Sequence, residues 1–404
     1  PELSYSPEES DDKTSPRASV AELVTTPLFT LSYLVFFSIL GTLARMGLVW
    51  LTFYPGAPAV LGVLWANFAG SMMMGFLSED RMLFREAQRS SSSSYGRGRP
   101  LISAGETGDR FIAFLKLKKS IPLYIGLTTG FCGSLTSFSS FMRDVFLALS
   151  NDLPTPFNQG PPPGTAFHAA EPSTHRNGGY SFMALVAVII LTVSLSLGAL
   201  KVGAHAAIGL EHAPFPLHIF GAPSLRRAFD FSVPVLAVGS WLGAVFLAIW
   251  PPDRPGGPSS RGPWSNETWR GEAIFACVFA PLGCLGRYYA SLYMNALAPS
   301  FPLGTFAVNI FGTAVLGMAY DLQHVSLASG MVGGGRVGCQ VLNGVMDGFC
   351  GALTTVSTWV VELDGLRRRH AWVYGTTSVG VGLGLLVVIM GSVRWTVGWS
   401  NPVC

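Results

Sequence analysis

Gly130-Phe131-Cys132-Gly133-Ser134-Leu135-Thr136 lies over Gly348-Phe349-Cys350-Gly351-Ala352-Leu353-Thr354 when the chain is shifted by 218 residues. Upstream, a shift of 242 sets Gly41 on Gly283, Arg45 on Arg287, Gly62 on Gly304 and Asn67 on Asn309. It also sets Gly70 on Gly312, Gly75 on Gly317 and Glu79 on Asp321. The two shifts differ by the extra length of the 79–120 loop in the first copy. The same three motifs recur in the same order, so the chain is an internal duplication.

The copies are apolar. Of 404 residues, 49% are hydrophobic and 12% charged. An average soluble domain carries about 25% charged residues, so composition points to a polytopic membrane protein. A net charge of +3 is too small to imply a nucleic-acid partner. Six cysteines without paired spacing predict neither a disulfide framework nor a zinc site. Cys132, Cys277, Cys284 and Cys350 lie in apolar runs and read as small buried hydrophobes.

A spanning helix needs about 20 mostly apolar residues. Nine segments qualify: 29–53, 59–78, 121–149, 180–204, 231–251, 272–297, 302–321, 340–361 and 371–397. Residues 1–28 form a polar tail expected to be disordered and cytoplasmic, with no cleavable leader. Residues 29–204 are the first four-helix repeat, and 205–271 a linker containing the helix 231–251. The second repeat is 272–397, and 398–404 is a tail. The Ser-rich stretch 90–94 and the Pro-rich stretch 154–163 read as mobile connections. One odd helix between two four-helix units inverts the second. Inverted repeats set a pseudo-two-fold axis in the membrane plane, with ion sites near the midplane. With the N-terminus in the cytoplasm, 16 of the 26 Lys and Arg fall in the tail and loops on that side, and 5 outside. That asymmetry predicts a cytoplasmic N-terminus and an external C-terminus. It also places the Asn266-Glu267-Thr268 sequon outside.

The third span of each copy carries the chemistry. Gly130 and Gly133, then Thr136, Ser137, Ser139 and Ser140, predict a broken helix. Non-helical backbone at membrane depth is tolerated where it is buried in protein or lines a cavity. Freed carbonyls there can hold a cation, and N–H groups and hydroxyls an anion. A Gly/Ser helix-packing face is the competing reading. Asn67 and Asn309 are mid-span amides, either helix glue or pathway ligands. Phe138 and Phe141 are either core packing or rings whose electropositive edges meet a small anion.

These motifs resemble the fluoride-channel family, and the duplication resembles its eukaryotic fluoride-exporter form. The resemblance implies two antiparallel units in one chain, working as a monomer. It implies an ion path through Asn67, Asn309, Phe138, Phe141, Thr136, Ser139, Thr354, Ser357, Tyr374 and Ser378. It places Arg45 and Arg287 near a vestibule. It implies a structural sodium ion held by the carbonyls of Gly133, Thr136, Gly351 and Thr354. The copies depart from each other. Val356 and Trp359 stand where the first copy has Phe138 and Phe141, and Tyr180 and Ala184 stand where the second has Tyr374 and Ser378. One conducting pathway is therefore expected rather than two.

The expected function is passive export of fluoride across the plasma membrane, with the lipid bilayer and fluoride as partners. A proton-coupled fluoride transporter is the alternative. It would need a titratable group in the path, for which Asp347 is the candidate, unless Asp347 only caps the helix break. Clustered His, Cys or carboxylates of an enzyme are not evident in the sequence.

Overall fold

A computed structural model describes residues 20–52, 54, 57, 61–80, 83–84, 118–153, 177–211, 223–260, 262–263, 266, 268, 270–326 and 331–404. The 1–19 part of the N-terminal tail, the Ser-rich 90–94 and the Pro-rich 154–163 lie outside them.

The described residues form helices, with one isolated bridge between Ser326 and Val332. Helix α1 is Val20–Thr52 and α2 is Leu64–Glu79. α3 runs from Pro122–Ile125 through the π-helical Gly126–Cys132 to Gly133–Leu135. α4 is Phe138–Ser150, α5 Gly178–Glu211 and α6 Pro223–Ile249. α7 joins the π-helical Arg270–Ile274 to Phe275–Met294, and α8 is Leu303–His324. α9 runs from Gly335–Gly344 through the π-helical Val345–Cys350 to Gly351–Leu353. α10 is Ser357–Gly365 and α11 is Arg368–Thr396.

Five helices are long and apolar enough to cross a bilayer: Pro27–Thr52, Gly178–Leu210, Ala228–Ile249, Leu303–His324 and Arg368–Thr396. The other four predicted spans differ for local reasons. In place of 59–78 stands the 16-residue α2. α7 continues through Pro281 for 20 residues, but Arg287, Tyr288, Tyr289 and Tyr293 dilute its apolar run. The third span of each copy is broken, as the Gly and hydroxyl runs predict.

The repeated glycines are sites of close approach. A β-carbon on Gly41 would collide with the Phe131 carbonyl, and one on Gly283 with the Phe349 carbonyl. One on Gly70 would strike the Thr136 methyl, and one on Gly312 the Thr354 methyl. In both copies α1 or α7, and α2 or α8, therefore pack directly onto the break.

The cysteine reading needs one correction. Cys132, Cys277, Cys284 and Cys350 are free and buried as expected, but Cys339 and Cys404 form a disulfide. Sixty-five residues separate them, and they meet because the chain folds back after α11 onto the start of α9. Spacing alone carries no trace of that return.

Candidate functional site

The two breaks lie against each other and are built alike. Thr136 and Thr354 end α3 and α9 in extended conformation, with ψ of 148° and 153°. Each threonine then serves the other copy. The Ser357 and Val356 N–H groups, at the start of α10, donate to Thr136 Oγ1 at 3.1 and 3.2 Å. The Ser139 N–H, at the start of α4, donates to Thr354 Oγ1 at 3.1 Å. The Thr136 and Ser357 hydroxyls stand 3.1 Å apart, and those of Ser139 and Thr354 3.0 Å. The Ser357 hydroxyl donates to the Cys132 carbonyl, and the Ser139 hydroxyl to that of Cys350. Thr136 thus caps the restart of α10 from the other copy, while Thr354 adds an acceptor to α4, whose own N-cap is Ser137. All four side chains are fully buried.

Asn67 and Asn309 pin the break of their own copy. Asn67 Oδ1 accepts from the Ser137 N–H at 2.9 Å, and Asn309 Oδ1 from the Thr355 N–H at 2.9 Å. Their amide nitrogens return a bond to the Ser137 and Thr355 carbonyls. These contacts have a further effect. In a regular helix the Ser137 N–H would donate to the Gly133 carbonyl and the Ser140 N–H to that of Thr136. The first goes to Asn67 instead, and the second to Ser137 Oγ at 3.2 Å. In the second copy the Thr355 N–H goes to Asn309 and the Thr358 N–H to Thr355 Oγ1. The carbonyls of Gly133, Thr136, Gly351 and Thr354 therefore lose their ladder partners. Backbone oxygens freed in this way are hard donors of the kind a monovalent cation takes. Among the described residues no cluster of His, Cys, Asp or Glu competes for a metal.

Arg45 and Arg287 are buried. Arg45 donates to the carbonyls of Ser134 and Asp347, and Arg287 to those of Ala352 and Thr129. Each guanidinium thus bridges both copies. The Arg287 guanidinium occupies the space where Gly133 would carry a β-carbon, and that of Arg45 the same space at Gly351. Ser134 and Ala352 directly follow Gly133 and Gly351, while Thr129 and Asp347 lie one helical turn before them.

Phe138 and Phe141 are fully buried and meet edge to face, with ring centroids 5.7 Å apart. Phe138 also meets Trp359 edge to face at 5.4 Å. The first copy's phenylalanines and the second copy's tryptophan therefore share one core, with Tyr374 among its members. Met142, one residue past Phe141, reaches Gly382 on α11. So α4 lies beside the helix that carries Tyr374 and Ser378. Ser378 is buried, and its hydroxyl donates to the Tyr374 carbonyl at 2.7 Å. Tyr180, which the repeat aligns with Tyr374, is exposed.

One group escaped the sequence reading. The Glu362 carboxylate accepts from the Thr305 hydroxyl at 2.6 Å, the Tyr374 hydroxyl at 2.7 Å and the Asn295 amide at 3.3 Å. A carboxylate three residues after Trp359, at the edge of an apolar span, was the available signal.

Fold and site together define a helical membrane protein built around two helix breaks bonded to each other. Comparison with known proteins agrees. The model of the family described as CrcB-like protein, Camphor Resistance (CrcB), matches residues 32–157 and again 274–392. The chain is 53% identical over 394 residues to fluoride export protein 1 of Neurospora crassa, covering 96% of this chain and 70% of that one. It is 32% identical over 369 residues to fluoride export protein 1 of Candida albicans, covering 89% and 79%. It is 34% identical over 123 residues to the fluoride-specific ion channel FluC of Pseudomonas paraeruginosa, covering 30% of this chain and 91% of that one. No solved structure matches. The chain belongs to the CrcB family.

Proposed function

We propose that the protein is a passive channel that carries fluoride out of the cytoplasm across the plasma membrane. The observation that carries this is the pair of crossed, mutually bonded breaks, with Phe138 and Phe141 buried beside them. The named relatives are fluoride exporters and a fluoride channel, and nothing in the site calls for catalysis. HF is neutral and crosses membranes, then ionises and is trapped inside. A negative-inside potential supplies about 2.3 kcal/mol per charge per 100 mV to drive the anion outward.

The two units are inverted. Reciprocal contacts, in which Thr136 serves Ser357 while Thr354 serves Ser139, are what a two-fold axis produces, and they support this reading. One chain then makes a complete pseudo-dimer of nine spans. The N-terminus lies in the cytoplasm and the C-terminus outside. The Cys339–Cys404 disulfide supports that sidedness, because disulfides persist in oxidising compartments.

Within the path, α4 offers the ring edges of Phe138 and Phe141, and α11 offers Tyr374 and Ser378. A dehydrated anion needs such donors, since an unpaired buried charge is costly. Asn67 and Asn309 hold the breaks open. The carbonyls of Gly133, Thr136, Gly351 and Thr354 would hold a sodium ion, which when bound supplies a fixed positive charge joining the two copies. Arg45 and Arg287 each bond carbonyls of both copies and join the two breaks.

Fluoride efflux from liposomes carrying the purified protein tests the reading. Efflux should be electrogenic, indifferent to a pH gradient and closed to chloride. Flux that follows the proton gradient refutes the passive channel and selects coupled transport, with Asp347→Asn as the variant that should then abolish the coupling.

A further inference from the structure

The chain beyond α11 turns back and ties four helices together. Arg394, in the last turn of α11, makes two 2.9 Å bonds to the Asp152 carboxylate, just past the end of α4. Its guanidinium lies 5.6 Å over the Trp399 ring. Trp399 meets Phe146 of α4 at 6.2 Å and Tyr320 of α8 at 5.0 Å, and its Nε1–H donates to Asp321 at 3.0 Å. The Ser400 N–H donates to the His324 carbonyl at 2.8 Å. Cys404 then closes onto Cys339 near the start of α9. The matching end of α10 is held differently among the described residues. There an ion pair between Lys201 and Asp364, both well exposed, joins α5 to α10, and exposed pairs contribute little. The return therefore joins α8, α9 and α11 to the helix that carries Phe138 and Phe141.

We propose that segment 397–404 is a disulfide-locked strap that positions the outer end of α4, so that fluoride flux depends on the oxidation state of Cys339 and Cys404. The proposal rests on the channel reading above. With the disulfide formed, Trp399 is held between Phe146 and Tyr320 by a closed covalent loop. Reduction removes that closure and leaves individually weak contacts. A phosphine achieves it outside the membrane. Phosphorus attacks one sulfur and breaks the S–S bond, water supplies the oxygen of the phosphine oxide, and two thiols remain. α4 then loosens from its outer end, and the geometry around Phe141 loosens with it.

The test uses the full chain in liposomes, with an impermeant phosphine added outside or inside. Free thiols are counted by alkylation and mass. External phosphine should lower fluoride efflux at least fivefold, and reoxidation should restore it. Phosphine sealed inside should do nothing. Hydrogen exchange at residues 145–152 should rise at least tenfold on reduction. Cys404→Ser should start at the low flux and ignore phosphine, while Trp399→Ala should lower flux with the disulfide intact. Efflux within twofold of the oxidised value after confirmed reduction overturns the proposal. So does unchanged exchange at 145–152, which needs no flux measurement. Absence of fluoride efflux from the oxidised protein would instead refute the channel reading, leaving the exchange result to judge the strap.

Discussion

Replacing Thr136 with Val keeps the shape of the side chain and removes one hydroxyl. That hydroxyl accepts from the Val356 and Ser357 N–H groups and stands 3.1 Å from the Ser357 hydroxyl. All of these lie in the protein interior. Loss of an N-cap costs about 1 kcal/mol. A buried N–H left without a partner costs about 1–3 kcal/mol. The two overlap in part, so Thr136→Val should cost about 2–4 kcal/mol. Thr354→Val strands one N–H, that of Ser139, with its hydroxyl, while Ser137 still caps α4, so it should cost less, about 1–3 kcal/mol. Thr→Ser at either place keeps the acceptor and should cost well under half as much. Equilibrium unfolding by denaturant in mixed micelles reads these values. A loss below about 0.5 kcal/mol, the level of an ordinary surface change, would refute the cross-capping argument. So would a large cost at one threonine and none at the other.

Ser378→Ala and Phe138→Ile should each cut fluoride efflux roughly tenfold or more, equivalent to about 1.4 kcal/mol in the barrier, whereas Ala184→Ser should do little. Asn67→Ala and Asn309→Ala should differ in effect; equal half-size losses, with flux abolished only in the double variant, would mean two working pathways. A cysteine in place of Lys119 should react with an impermeant maleimide from the cytoplasmic side and one in place of Val332 from outside, and finding both on one side refutes the inverted arrangement. Exchanging sodium for N-methylglucamine on both sides should lower the thermal midpoint and the flux together, while an unchanged midpoint argues against an ion at the four carbonyls.

What the sequence made legible is what repeats. Gly41 with Gly283 and Gly70 with Gly312 recur because each meets the same neighbour across the same gap. Thr136 and Thr354 recur because each accepts from the start of a helix in the other copy. The breaks were legible too, since Gly followed by hydroxyls gives a helix few reasons to continue at membrane depth. Features made once left no such mark. Glu362 gathers donors from Asn295, Thr305 and Tyr374, which lie on separate elements up to 67 residues away. The Cys339–Cys404 pairing depends on where a tail returns after a 29-residue helix. The arginines were found by alignment, but their burial between the two breaks was not, because carbonyl acceptors belong to every residue and carry no sequence signature.

The exchange of hydrogen bonds between the copies also sets a timetable for synthesis. The Ser139 N–H waits for Thr354, 215 residues later in the chain. At about 5–20 residues per second, a ribosome delivers that threonine roughly 10–40 s after the serine. Through that interval the first copy sits in the bilayer with Ser137 capping α4 but with the Ser139 N–H and hydroxyl lacking Thr354. A half-made chain is therefore the most vulnerable form of this protein. It must be sheltered by the insertion machinery, by water drawn into the membrane or by a temporary helical closure of the break, until the second half arrives to open it.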